Sequence, residues 1–176
     1  MKNFKLSYLL LMVTTVLFAS CSKDDTNSNV NPATIVGKWK GIDITTKGTT
    51  TISGAGINNT MDFTTTSVSV DVKAEFMSSP NQMTASGTYT SKMKSVYLGQ
   101  NIEQTVTAPY FSNTASWNIA GNQLTLTKNG TTETYTILEL TSTRLKYTGK
   151  ITTVTQNGGI TTTQVVEGTN TFEKVQ

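Results

Sequence analysis

Histidine is absent from this sequence of 176 residues, cysteine occurs once and proline three times. Without histidine, and with one cysteine, the commonest general base and the common zinc ligand sets are missing. Ser-His-Asp and Cys-His catalytic arrangements are therefore excluded. No acid-rich loop resembles a calcium site, and no glycine-rich loop precedes a helix to hold phosphate. We expect no cofactor, no metal and no enzymatic activity.

Carboxylate pairs remain formally possible as catalysts, because two acids at the right separation can hydrolyse a glycosidic bond. Charged residues make up only 14% of the chain, and its acids mostly occupy the polar phase of alternating segments. Charged side chains on the exterior of strands are the ordinary pattern. We therefore expect these carboxylates to be solvated.

The single cysteine, Cys21, ends a short apolar segment at the amino terminus. Lys2 and Lys5 form a basic start, residues 6–18 form the apolar run, and two small residues immediately precede the cysteine. This organisation is typical of a bacterial export signal. A run of about 13 apolar residues is too short to cross a membrane as a helix, which needs about 20. An ordinary secretory signal would instead leave a lone free thiol in an oxidising compartment.

The segment resembles the lipobox of bacterial lipoproteins, with Leu17 four residues before the cysteine and Phe18 in the usual leucine place. The resemblance implies a signal peptide over 1–20, a lipid on Cys21 and anchorage in the outer membrane. The next residues resemble the signal that exports lipoproteins of Bacteroidetes type to the cell surface: Ser22, Lys23, Asp24 and Asp25. If these residues are only polar tether, the protein faces the periplasm.

Residues 21–32 are rich in Asn, Ser, Thr and Asp, a composition that cannot bury enough apolar surface to fold. We therefore expect a flexible tether there and one folded domain over 33–176. The precursor carries a net charge of +3, and loss of Lys2 and Lys5 leaves about +1. This near-neutral surface has no electrostatic footprint for nucleic acid.

The folded domain shows a period of two residues. Apolar and polar residues alternate without a slip over 68–76, which predicts a strand with one face in a core. Threonine, which is β-branched and favours pleated surfaces, occurs 36 times. Turns at Gly121-Asn122, Asn129-Gly130 and 157–159 separate adjacent strands in the carboxyl-terminal half. About ten strands are predicted, near 36–46, 61–66, 68–76, 83–90, 102–107, 116–119, 124–127, 132–140, 145–155 and 160–172.

A sheet of that length curls or splits, and closure removes its edges. The expected fold is therefore all-β, an antiparallel up-and-down meander that closes into a barrel of about 8 to 10 strands.

Three short stretches resemble the bacterial lipocalin-like lipoproteins. They are the Gly-x-Trp opening within residues 35–41, the stretch 121–126, and the stretch 135–141 that leads to Arg144. The resemblance implies a lipocalin-like barrel in which Gly37 and Trp39 begin the first strand and an arginine stacks on the tryptophan to close one end. Arg144 is the only arginine. The alternative is that Trp39 is a core aromatic and Arg144 a surface charge.

The best sequence candidate for a contact site is the stretch 108–113, where Tyr110 and Phe111 follow a proline. Adjacent aromatic residues on a regular strand point to opposite faces, so one should be exposed or should guard a loop. We take Tyr110, Phe111 and Trp117 as possible ligand contacts, with a core plug as the alternative. Two functions are favoured over an enzyme, which the lack of histidine and of a free cysteine disfavours. They are binding of a small apolar or amphipathic ligand inside the barrel, or recognition of a surface glycan or protein through loops.

Overall fold

The computed structural model describes residues 30–97, 99–110 and 114–176. The signal segment, Cys21 and the export residues Ser22 to Asp25 lie outside the described residues, as does Phe111. A short 3-10 helix, Pro32–Ile35, precedes nine strands. The strands are β1 (Gly37–Gly54), β2 (Ile57–Met77), β3 (Gln82–Tyr97), β4 (Gln100–Pro109), β5 (Thr114–Ala120), β6 (Gln123–Lys128), β7 (Thr131–Leu140), β8 (Arg144–Asn157) and β9 (Ile160–Lys174).

All strand pairs are antiparallel, and eight strands close into a hydrogen-bonded ring in the order β1-β2-β3-β5-β6-β7-β8-β9. The ring closes because β1 pairs with both β2 and β9. The fourth strand lies outside the ring and, among the described strands, pairs with β3 alone. The all-β meander predicted from the sequence is confirmed, and its closure is this ring.

The number of strands differs from the prediction by one. The segments expected separately at 61–66 and 68–76 form the single strand β2, in which the register against β3 shifts between Ser67 and Ser69. A β-bulge of this kind adds a residue and bends the strand without ending it. Because the inward-facing positions change from odd to even numbers across the bulge, the alternation of apolar and polar residues in the sequence resembles that of two separate strands.

One end of the ring is closed, and we call it the base. The indole of Trp39 is fully buried there, and its Nε1 donates to the carbonyl of Ile35 at 2.7 Å. The 3-10 helix thus covers the base with Ile35, which is also fully buried. Val30, the first described residue, packs against the same core.

Six strands extend beyond the ring at the opposite end, which we call the mouth. The parts involved, here named the extension, are 149–157 of β8, 160–168 of β9, 45–54 of β1, 57–66 of β2, 88–97 of β3 and 100–109 of β4, in that order across the sheet. The ring is incomplete beside the extension because β5, β6 and β7 are short.

The two faces of the extension differ in charge. The inner face continues the ring's interior, since Val166 of β9 lies opposite Gly48 and Gly48 lies opposite the buried Phe63. The register places every charged side chain of these described residues on the outer face: Lys47, Asp62, Lys92, Lys94, Glu103, Lys150 and Glu167. Two clusters pair across strands there, Lys47 with Glu167 at 3.2 Å and Glu103 with Lys92 and Lys94 at 2.6 and 3.2 Å.

Candidate functional site

A cavity of about 200 Å³ lies in the mouth of the ring. It sits above the buried core, on the side away from Trp39, and we call it the mouth cavity. Its lining residues come from six strands and from the residue after β4: Thr46, Met83, Tyr110, Leu126, Tyr135, Tyr147, Gly149, Ile151, Val166, Gly168 and Asn170. Within the part of the chain that the structure describes, no lysine, arginine, aspartate or glutamate lines the cavity.

The floor of the mouth cavity is a cluster of aromatic rings. Tyr147 stacks on the buried Phe172, with ring centroids 5.9 Å apart and planes 9° apart. Tyr110 and Tyr135 meet this pair edge to face, Tyr110 against Phe172 at 6.1 Å and Tyr135 against Tyr147 at 5.4 Å. Such contacts fix ring positions beyond what burial alone supplies. The cavity therefore has a well-packed apolar floor.

Three polar groups converge in this cavity as one hydrogen-bonded chain. The hydroxyls of Tyr110 and Tyr147 are 2.8 Å apart, and Tyr110 donates to Oδ1 of Asn170 at 3.3 Å. Because the Tyr110 hydroxyl has one proton, Tyr147 must be the donor to Tyr110. Among the described residues, Nδ2 of Asn170 has no hydrogen-bond partner. The hydrogen-bonded chain thus ends at Nδ2 of Asn170, which is free to donate a hydrogen bond to an oxygen of a ligand.

The phenols of the site are neutral. Burial raises the pKa of Tyr110 well above its usual value, and the nearby Tyr147 raises it further. Burial also raises the pKa of Tyr147. The pKa of Tyr135 is raised by burial and by the hydrogen bond that its hydroxyl donates to Glu133. The site therefore offers neutral donors and acceptors and apolar surface, which suits an uncharged molecule.

Two glycines that face each other across β8 and β9 make the space. A Cβ on Gly149 would overlap the ring of Tyr135. A Cβ on Gly168 would meet only Cγ2 of Thr46 at 3.6 Å among side chains, an ordinary contact. The lack of a side chain at Gly149 is therefore needed to accommodate the ring of Tyr135, whereas the lack of one at Gly168 leaves part of the mouth cavity open.

The structure places Tyr110 and Trp117, two residues that the sequence suggested as ligand contacts, in different parts of the molecule. Tyr110 lines the mouth cavity. Trp117 does not, since its ring is 6% exposed, packs edge to face on Phe76 at 6.1 Å and donates from Nε1 to the carbonyl of Met77 at 2.9 Å. The expectation of a ligand contact at Trp117 is therefore corrected to a core role, because the inward phase of β5 points into the packed part of the ring.

The proposed stacking of Arg144 on Trp39 is also corrected. Nε of Arg144 pairs with Glu139 at 3.4 Å on the surface. The cation over the indole is Lys174, whose Nζ lies 5.1 Å from the ring centroid and donates to the carbonyl of Thr34 at 2.9 Å. Lys174 ends β9, next to β1, whereas Arg144 begins β8, one strand further from Trp39.

Several residues of the mouth cavity were missed by the sequence reasoning, namely Tyr135, Tyr147, Gly149, Gly168 and Asn170. The signal available was phase: Tyr147 and Gly149 share the inward phase of β8 with the buried Leu145. Gly149 in that phase, and Gly168 in the inward phase of β9 that it shares with the buried Phe172, mark missing inward side chains. Their cross-strand pairing requires the register, which the sequence does not supply.

The chain matches no protein-family model, and no curated protein or solved structure gives a significant match. Across the described ranges, no helix has the length and apolar character to cross a membrane. The same residues contain no group of three or more His, Cys, Asp or Glu side chains that could hold a metal ion.

Proposed function

We propose that this protein is a non-enzymatic binding protein that holds a small, uncharged amphipathic molecule in the mouth cavity. The observation that carries the proposal is the cavity itself: about 200 Å³ lined by aromatic and apolar side chains, with one converging polar chain and, among the described residues, no charged lining residue. A mostly apolar pocket with a few placed polar groups is the usual form of a small-molecule site. For comparison of size, an engineered protein cavity of about 150 Å³ is large enough to bind benzene.

The proposal agrees with the lipocalin-like lipoproteins that the sequence resembles, in which a barrel of this kind carries a small apolar ligand. The alternative, a module that recognises a glycan or protein through loop aromatics, has less support. Tyr110 points into the cavity and Trp117 into the core, so neither ring is available on a loop surface.

We further propose that a lipid on Cys21 anchors the protein in the outer membrane, with the export residues 22–25 carrying it to the cell surface. The tether would then reach the domain at its base, where Val30 packs. The mouth lies near Thr46, nine residues along β1 from Gly37 and so about 30 Å from the base. An anchored protein would therefore present its mouth away from the membrane.

Filling the mouth cavity tests the binding function. Gly168→Val should abolish binding of an apolar fluorescent probe, because the new side chain occupies the space beside Thr46. The control is Thr163→Val, which places the same residue on the outer face of the same strand, opposite Thr51. Titration of both purified variants and the parent measures the affinity. Equal binding by Gly168→Val and the parent, with both folded, would contradict the proposal.

The anchor has its own test. Cys21→Ser should abolish incorporation of a labelled palmitate analogue in a host that makes the protein, and should release it from the membrane fraction. Alanine at Lys23, Asp24 and Asp25 should keep the label but protect the protein from protease added to whole cells. Labelling of Cys21→Ser at the parent level would refute the lipid site.

A further inference from the structure

The mouth cavity is continuous with the inner face of the extension. Ile151 and Val166 line the cavity and at the same time begin a row of side chains that crosses the extension. The row continues from Val166 over Gly48 to Phe63 and ends, past Ser95, at Ile102 of the edge strand β4. It crosses five inter-strand spacings, about 24 Å. A molecule that fills the cavity therefore meets this row directly at the mouth.

The row is shaped by a glycine at its centre. A Cβ on Gly48 would lie 2.9 Å from Cζ of Phe63, so the ring of Phe63 lies over the position where a side chain would otherwise stand. Phe63 is only 8% exposed. On either side of it, Ile151 and Ile102 are 48% and 39% exposed. The result is an apolar surface with a packed centre and accessible ends.

All residues of the extension are described. Its inner face carries no charged side chain, and its seven charged side chains all lie on the outer face. Exposed apolar surface bounded by polar residues marks an interaction site. Two hydroxyls on this face, those of Ser91 and Ser95, are buried without a hydrogen-bond partner, with the residues 3% and 6% exposed. Unpaired buried hydroxyls are costly and leave hydrogen-bonding capacity unused.

The size of the mouth cavity limits what it holds alone. Since a cavity of 150 Å³ holds a benzene ring, one of about 200 Å³ holds about six to eight carbon atoms. Ligand sites for larger molecules are about 300–1,000 Å³. Any longer ligand must leave the mouth, and the uncharged surface that it meets is the row of Ile151, Val166 and Phe63. A ligand chain is favoured over a protein partner because Ile151 and Val166 belong both to the cavity lining and to this row, so a chain that fills the cavity reaches the row directly.

We propose that the inner face of the extension is the second part of the ligand site and that the ligand is a single-chain, uncharged amphiphile whose chain leaves the mouth cavity along the row of Ile151, Val166 and Phe63. This inference rests on the binding function proposed above and names its ligand class. One end of the chain occupies the cavity near Nδ2 of Asn170, and the rest lies across β9, β1 and β2.

A series of linear alkan-1-ols from butanol to dodecanol tests the inference. Affinity should rise about fourfold with each methylene that is fully buried in the cavity. Beyond about six carbons the rise should continue, at about twofold per methylene, because a chain on an open face is about half buried. Dodecanol, with six more methylenes, should therefore bind about 60-fold more tightly than hexanol. If the affinity stops rising once the cavity is full, the face takes no part and the inference is overturned.

A matched pair of variants locates the chain. Gln164→Glu adds a charge to the inner face, opposite Thr50 and two residues from Val166, whereas Gln156→Glu makes the same change on the outer face, opposite Thr161. Both glutamines are exposed, so both variants should fold. Gln164→Glu should reduce the ratio of dodecanol to hexanol affinity at least fivefold and leave hexanol binding unchanged. Gln156→Glu should change neither. Equal ratios in the two variants would overturn the inference.

The outcomes separate the two proposals. Absence of hexanol binding to the parent protein would refute the mouth cavity as a ligand site, and with it the inference. Hexanol binding without a chain-length effect would refute only the inference. Sedimentation velocity supplies a further check: a dimer of the parent that Gln164→Glu dissociates would assign the face to a second copy of the chain and overturn the inference.

Discussion

Replacing Lys174 with methionine should destabilise the base of the ring. Methionine keeps most of the apolar stem but removes the ammonium group, which lies 5.1 Å from the centroid of Trp39 and donates to the carbonyl of Thr34 at 2.9 Å. The variant loses a cation–π contact and the hydrogen bond that ties the 3-10 helix to the last strand. The Thr34 carbonyl is left with one donor fewer.

The magnitude follows from these two contacts. A cation–π contact contributes about 0.5–2 kcal/mol, and a hydrogen bond from a charged donor about 1.5–3 kcal/mol. Lys174 is half-buried, so solvent reduces both and we take the lower ends of the ranges. The free energy of unfolding should fall by about 2 kcal/mol. For a domain of this size the melting temperature should drop by about 4–8 °C.

Arg144→Met is the matched control, because it removes the cation that the sequence suggested would stack on Trp39. Arg144 is exposed and forms a surface ion pair with Glu139, so its loss should change stability by less than about 0.5 kcal/mol. Thermal and urea unfolding of both variants, followed by circular dichroism, measure the difference. An unchanged melting temperature for Lys174→Met, or a larger drop for Arg144→Met, would refute the role of Lys174.

The remaining predictions concern the mouth. Gly149→Ala should lower the free energy of unfolding by about 1–3 kcal/mol in urea titrations, because the added methyl overlaps the Tyr135 ring, whereas Gly168→Ala should be nearly neutral. Stability should fall as the pH rises above about 10, the ordinary tyrosine pKa, because Tyr110 and Tyr147 stay protonated in the folded state but ionise when unfolded. The phenolate absorbance of these two tyrosines should therefore appear together with the loss of circular dichroism, and a smooth titration of either phenol in the folded protein would contradict its burial.

The strands and turns of this fold were predictable from the sequence because they depend on local chemistry. The alternation at 68–76 and the Asn129-Gly130 turn each encode their structure within a few residues. The bulge at Ser67 to Ser69 was not predictable, since it is defined by the register against β3. The cation over Trp39 was missed for the same reason: Lys174 lies 135 positions away in the chain and reaches the base only through the pairing of β1 with β9.

Gly37 explains in physical terms why a glycine precedes the buried tryptophan in the Gly-x-Trp opening. Its φ is +130°, a conformation that side chains disfavour, and a Cβ there would lie 2.8 Å from Cε of Lys174. The missing side chain is the space through which Lys174 passes on its way to the indole. The three residues Gly37, Trp39 and Lys174 thus form one unit that closes the base.

The mouth stays open because β3 changes partners. Residues 82–84 of β3 pair with β5 and complete the ring, while residues 88–97 pair with β4 and leave it. Gly87 lies at the change: a Cβ there would overlap the backbone of Asp71, and its carbonyl accepts from the amide of Tyr110 at 2.9 Å. The same glycine that lets β2 approach closely therefore holds the end of β4 against the ring, which aims Tyr110 into the cavity. One backbone hydrogen bond therefore joins the point where β4 leaves the ring to Tyr110, the residue after β4 whose phenol lines the cavity.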